Sequence, residues 1–269
     1  MRFILTAGSI LIVQFLGAQE LFVFTEPASN MAKGGIGVRI SNAFMKEDFT
    51  KRIDYHLVPE VMAGISKKIM IHAEAFISNM STDLKAEGGG LYLKYRFFSI
   101  DEVHSHFRMA LFGRYAFNNA HIHEPAIDLQ GHNSGYEAGL VSTKLINKVA
   151  VSAIISALHV NDNGKQKFGF GSKNRNAFNY SLSAGKLMLP KEYTSYGQTN
   201  LNLMLEFLGQ INSQTGDGYL DAAPSIQFII NSRIRIDAGY RFAINEKLYR
   251  SAPSGAVFKF EYNFYNVIK

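Results

Sequence analysis

Leu201-Asn202-Leu203-Met204-Leu205-Glu206-Phe207-Leu208-Gly209-Gln210 sets Leu201, Leu203, Leu205 and Phe207 at every second position. Asn202, Glu206 and Gln210 fall between them, together with Met204 and Leu208. A period of two sends the two sets to opposite faces of a strand, whereas a helix would need a period of 3.6. Strands of soluble proteins peak at about 5–6 residues, and tilted transmembrane strands need about 9–11. This run is of the second kind.

The same alternation recurs along the chain. Ile234, Ile236, Ala238, Tyr240 and Phe242 oppose Arg233, Arg235, Asp237 and Arg241. Phe258, Phe260, Tyr262 and Phe264 alternate with Lys259, Glu261, Asn263 and Tyr265. Leu91, Leu93, Tyr95 and Phe97 oppose Lys94 and Arg96, and Phe107, Met109, Leu111 and Tyr115 oppose Arg108 and Arg114. Weaker strands are expected at 34–45, 54–66, 69–78, 135–146, 148–160, 177–189 and 219–230, where His56 shares a face with Glu60 and His72 with Glu74. The total is twelve, an even number, as an up-and-down antiparallel barrel requires.

Composition agrees. The 269 residues are 47% hydrophobic and 13% aromatic, but mean hydropathy is only -0.03. Helical spans, which need about 20 consecutive apolar residues, are not what this chain carries. Hydrophobicity spread over alternate positions suits an all-β, closed transmembrane barrel. The absence of cysteine excludes a disulfide framework, thiolate metal sites and a lipoprotein anchor. Arg2, the apolar stretch Phe3–Leu16 and the small residues Gly17 and Ala18 read as a signal peptide over 1–18. Residues 19–33 are then expected as an N-terminal periplasmic segment and 34–269 as the barrel. Tight turns at 66–68, 146–148 and 231–232 alternate with long polar links at 118–134 and 161–176, while 99–106 and 190–198 are of medium length. Short periplasmic turns and longer outer loops mark an outer-membrane barrel of a Gram-negative envelope. Its expected partners are outer-membrane lipid, the barrel assembly machinery and a small-molecule solute.

With the apolar face toward lipid, the inward set is Arg39, Glu60, Glu74, Lys94, Arg96, Arg108, Arg114, Glu137, Glu206, Arg233, Arg235, Asp237, Arg241, Lys259 and Glu261. Nine bases and six acids share one parity. A charge facing lipid near the midplane costs about 2–4 kcal/mol, which explains that confinement. The set fills a narrow lumen with ion pairs or lines an anion-favouring constriction. Strand 219–230 offers only Gln227 opposite the arginines of 233–244, so positive potential is expected there. The formal charge of +6 does not point to nucleic acid, because these bases form no exposed stripe. No cofactor is expected.

Two polar clusters carry alternative chemistry. His121, His123 and Glu124 could hold a borderline metal. His132 and Ser134 share the parity of Tyr136, the outward face, where His could take the Ser proton during attack on a lipid ester. His132-Asn133-Ser134-Gly135 resembles the His-x-Ser of outer-membrane phospholipase A and lipid A deacylases, but Gly follows Ser directly where the phospholipase has Asn.

Glu20-Leu21-Phe22-Val23-Phe24-Thr25-Glu26-Pro27-Ala28-Ser29-Asn30-Met31-Ala32 resembles the opening of uncharacterised Bacteroidota outer-membrane proteins. By pattern, the whole chain is similar to the outer-membrane transporter family associated with the meta pathway of phenol degradation. The resemblance implies a barrel moving small solutes and supplies no catalytic residues. Channel, lipid hydrolase and non-conducting envelope barrel are therefore the readings to separate.

Overall fold

A computed structural model describes residues 22–268 except 49, 81–82, 103–104, 172–173 and 193–196. The expected signal peptide lies outside the described residues. Twelve strands form: β1 (Ile36–Lys46), β2 (Ile53–Gly64), β3 (Ile69–Ser78), β4 (Lys85–Asp101), β5 (Ser105–Asn118), β6 (Gly135–Ile146), β7 (Val149–Val160), β8 (Asn176–Leu189), β9 (Asn200–Asn212), β10 (Gly218–Ile230), β11 (Ile234–Glu246) and β12 (Ser254–Phe264). Each pairs antiparallel with its sequence neighbours, and β1 pairs with β12 from Ile36↔Phe264 to Lys46↔Ser254, closing the barrel. Closure leaves no unpaired edge, which a bilayer would not tolerate.

The two faces invert the order of a soluble protein. Leu91, Ile155, Phe178 and Leu182 are exposed on the outside, while Glu206, Gln210, Asp221 and Gln227 are fully buried within. Apolar residues outside and charges inside define a transmembrane barrel. Connections at the end holding both termini are mostly tight, with 190–199 the long exception. The expected medium turn at 99–106 is shorter, because β4 and β5 stay paired to Asp101↔His106. Gly34 marks the barrel mouth, at a φ of 76° that favours glycine, and its carbonyl accepts from the amides of Val267 and Ile268.

The interior is filled by two segments that the strands do not supply. Residues 22–33, expected in the periplasm, cross the lumen near the terminal end: Phe22 and Val23 pack on Ala150 and Met204, and Ala28 packs on Ala110 and Val141. At the opposite end the β5–β6 loop folds inward, and Ile122, Ile127 and Leu129 join Phe76, Leu158 and Phe168 in one cluster. Both segments bury apolar side chains that twelve strands alone leave without partners.

Gly139 shows how tightly the wall is packed. A Cβ there would lie 2.6 Å from the Phe112 ring and from Ser156 Cβ. Gly139→Val should destabilise the barrel by about 1–3 kcal/mol through overpacking. The measurement is the temperature at which the compact, faster-migrating gel form converts to the unfolded one. An unchanged conversion temperature would contradict this packing.

Candidate functional site in the barrel lumen

Glu206 sits on the inner face of β9, fully buried. Its Oε1 accepts from the amides of Val23 (2.8 Å) and Phe24 (2.9 Å), and its Oε2 accepts from the Thr25 hydroxyl (2.7 Å). A buried carboxylate needs such donors, and an irregular segment has free amides to give. Other wall residues bind the segment in sequence. Arg235 donates to the Phe22 carbonyl (2.5 Å), Lys94 to the Pro27 carbonyl (2.7 Å) and Arg108 to Ser29 Oγ (3.0 Å). Thr143 Oγ1 accepts from the Ala28 amide at 2.9 Å. The inward bases and Glu206 thus serve as a clamp for residues 22–29.

Around the wall, acids and bases pair by register. Arg39, opposite both Glu60 and Glu261, reaches Glu261 at 2.9 Å, Glu26 at 3.0 Å and Glu60 at 3.2 Å. Arg235 pairs with Asp237 at 2.8 Å, and Arg114 pairs with Glu74 at 2.7 Å and Glu137 at 3.6 Å. This belt holds the acids Glu26, Glu60, Glu74, Glu137, Asp237 and Glu261 against the bases Arg39, Lys94, Arg114, Arg235 and Lys259.

The inward arginines of β11, expected to outnumber their acids, each have an acid partner. Arg241 binds Asp221 at 2.5 Å, and Arg250, from the β11–β12 loop, binds the same carboxylate at 2.6 Å. Asp221 has the parity of Gln227 on β10, so alternation could have found it; Arg250 lies in a loop, beyond the reach of parity. Arg233 is also displaced from the inward set: it is exposed in the turn before β11. Arg96 lies near the terminal rim and donates to the Lys67 carbonyl at 2.7 Å.

Between the N-terminal segment and the inward loop remains a cavity of about 340 Å³. Charged Glu60, Arg114 and Lys259 line it beside aromatic Tyr92, Phe112 and Tyr180. The loop is tied down by the Gln210 side chain, which accepts from the Ile127 amide and donates to its carbonyl, and by Glu124, which accepts from the Ser251 amide and hydroxyl.

These contacts revise the catalytic and metal alternatives. Ser134 faces inward, buried; its hydroxyl accepts from the Asn118 amide (2.8 Å) and donates to the Asn118 carbonyl (3.1 Å). The His132 ring stacks on His56 at 4.4 Å, with Nε2 3.8 Å from Asp128 and Nδ1 without a hydrogen-bond partner. The Ser134 hydroxyl is thus engaged by Asn118 rather than His132, and the two residues lie on the lumen side instead of the expected lipid face. The loop's inward turn reverses the parity that 135–146 suggested. His121 and His123 pack ring to ring at 4.6 Å, but Glu124 is taken by Ser251. Burial and the neighbouring His121 push His123 below the usual histidine range. The group of metal-type ligands found among the described residues is Glu60, His72 and Glu74.

No protein-family profile matches this sequence, and no match was found among curated proteins. Solved structures do match in fold. A COG4313 outer membrane channel from Pseudomonas putida F1 aligns with a TM-score of 0.57 at 10% identity, covering 90% of this chain and all of that one (100%). The NanC porin aligns with a TM-score of 0.50 at 10% identity, covering 86% of this chain and 98% of that one. At such identity the likeness is one of fold: this chain has the architecture of an outer-membrane β-barrel.

Glu206→Ala leaves the buried Val23 and Phe24 amides without their acceptor and should loosen the N-terminal segment by about 3 kcal/mol. A Val23→Cys reporter should then react with a maleimide in the folded barrel, where the same cysteine beside intact Glu206 is protected. Equal reactivity in both backgrounds would refute the clamp. In the β7–β8 loop, Asp162 accepts from the Phe168 amide (3.0 Å), Arg175 (2.6 Å) and Lys167 (3.0 Å). These donors, the Phe168 amide foremost, hold its carboxyl below the usual range. Its contribution is complete above the ordinary carboxylate pKa of about 4 and fades as pH falls through the depressed value. Asp162→Asn should make this loop protease-sensitive at neutral pH, whereas the parent loop should become so only well below about pH 4.

Proposed function

We propose that the protein is an outer-membrane channel for small solutes whose lumen is occupied from both ends in this structure. One observation carries the reading: a cavity of about 340 Å³ persists inside the wall, bounded by segments that belong to no strand. Strand ladders are cooperative and cannot open singly, but a segment held by side-chain hydrogen bonds can leave and return. The COG4313 channel and the NanC porin, similar in fold, give the same direction.

The lining supports a solute class. Paired charges beside Tyr92, Phe112 and Tyr180 suit a compact molecule carrying both a ring and an ionised group. The resemblance to meta-pathway transporters points the same way. An anion-selective constriction built on excess arginine loses its support, because Arg235 and Arg241 are each paired with acids. The same pairing and the filled lumen favour one competing reading, a non-conducting structural barrel.

Planar-bilayer conductance separates the two. The mature chain should conduct weakly, and deletion of residues 22–32 combined with Glu206→Gln should raise conductance several-fold while the gel-shift of a closed barrel is retained. A deletion variant that folds but stays closed would reject the channel.

A further inference from the structure

We propose that Glu60, His72 and Glu74 form a binding site for a divalent transition metal of the zinc class on the inner wall of the barrel. Glu60 and Glu74 are register partners across β2 and β3, and His72 lies two residues before Glu74 on the same face. One oxygen of each carboxylate and one imidazole nitrogen lie within 4.8 Å of one another. Glu60 faces Arg39 across β1, but on its other side it meets an acid rather than a base. Here two carboxylates stand directly opposed, an arrangement that is unfavourable in a sheet unless a cation lies between them.

The imidazole is a second and separate pointer. His72 is 3% exposed, its Nδ1 contacts Glu60, and its Nε2 has no hydrogen-bond partner. A buried ring nitrogen with nothing to bind is costly, and the ring's lone pair is a good ligand for a borderline metal. The surroundings hold the three side chains in place. Arg39 holds Glu60 Oε2 at 3.2 Å, and Arg114 Nη1 reaches both oxygens of Glu74 at 2.8 and 2.7 Å, which fixes the orientation of the two carboxylates. Tyr92 packs on His72 at 4.9 Å and limits its rotation. All three ligands line the cavity, which leaves room for water or a solute group as a further ligand. One nitrogen with two carboxylates matches zinc, whereas calcium and magnesium prefer all-oxygen sets of six or more.

The chemistry is independent of transport, so the test does not depend on conductance. Chelator-stripped full-length mature protein in detergent is dialysed against Zn²⁺ at neutral pH, and bound metal is measured by elemental analysis. One zinc per chain is expected. His72→Ala and Glu74→Gln should each weaken binding at least about tenfold. The loop double variant His121→Ala/His123→Ala should bind as the parent does. If barrel-wall variants fail to assemble, the loop variant loaded with Cu²⁺ decides, since its spin-echo modulation should report one imidazole. No saturable zinc binding by the parent protein, loss of binding in the loop variant, or retained affinity in folded His72→Ala would each overturn the site.

Discussion

An ionised group on the inner wall of a narrow barrel cannot be left alone, and the rest of the structure follows from that constraint. The wall must carry charge, because alternation sends one face of each strand to lipid and the other inward. Inside, desolvation is only repaid by a partner with good geometry. Arg39 meets this need with Glu26, Glu60 and Glu261, while Asp221 gathers Arg241 and Arg250. Glu206 finds no base within reach of an ion pair among the described contacts and takes backbone amides instead. The N-terminal segment is therefore part of the wall's electrostatic solution as much as it is an obstruction.

That coupling gives the closed lumen a definite strength. Residues 22–29 are held by separate bonds to Arg235, Glu206, Lys94, Thr143 and Arg108, drawn from five different strands. Releasing the segment breaks several charge-assisted bonds but no strand ladder. The loop 119–134 is held differently, by Gln210, by Ser251 and by apolar packing against Phe76 and Leu158. The two closures have different chemistry and can yield to different conditions.

The strands were legible because lipid imposes parity on every one of them. Leu201–Gln210 or Phe258–Phe264 can only be read one way once one face must be apolar. Parity also held the signals for Asp221 and His72, each on the face of a residue already recognised as inward. It could not show where Phe22–Ala32 go, since contacts such as Val23 to Glu206 span 183 residues and leave no local pattern. It failed at Arg233, which keeps inward parity but lies in a turn, beyond the wall that gives parity its meaning. It failed again at His132 and Ser134, because a loop folding back into the lumen owes nothing to the strand that follows it.

The belt around β1 to β6 shows what this economy of charge leaves available for function. Arginines there are positioned by acids on neighbouring strands, so each presents a fixed fork toward the cavity and keeps little freedom to select anions. The break in alternation at Glu60 and Glu74 is the exception, and it occurs beside an imidazole with one unpaired nitrogen. A wall built only to be stable would place a base at one of those positions, as it does next to Glu261 and Glu137. Two opposed carboxylates are tolerated where something positively charged can be shared between them. The site that departs from the rule governing the rest of the lumen is thus the one where the lumen can do chemistry of its own.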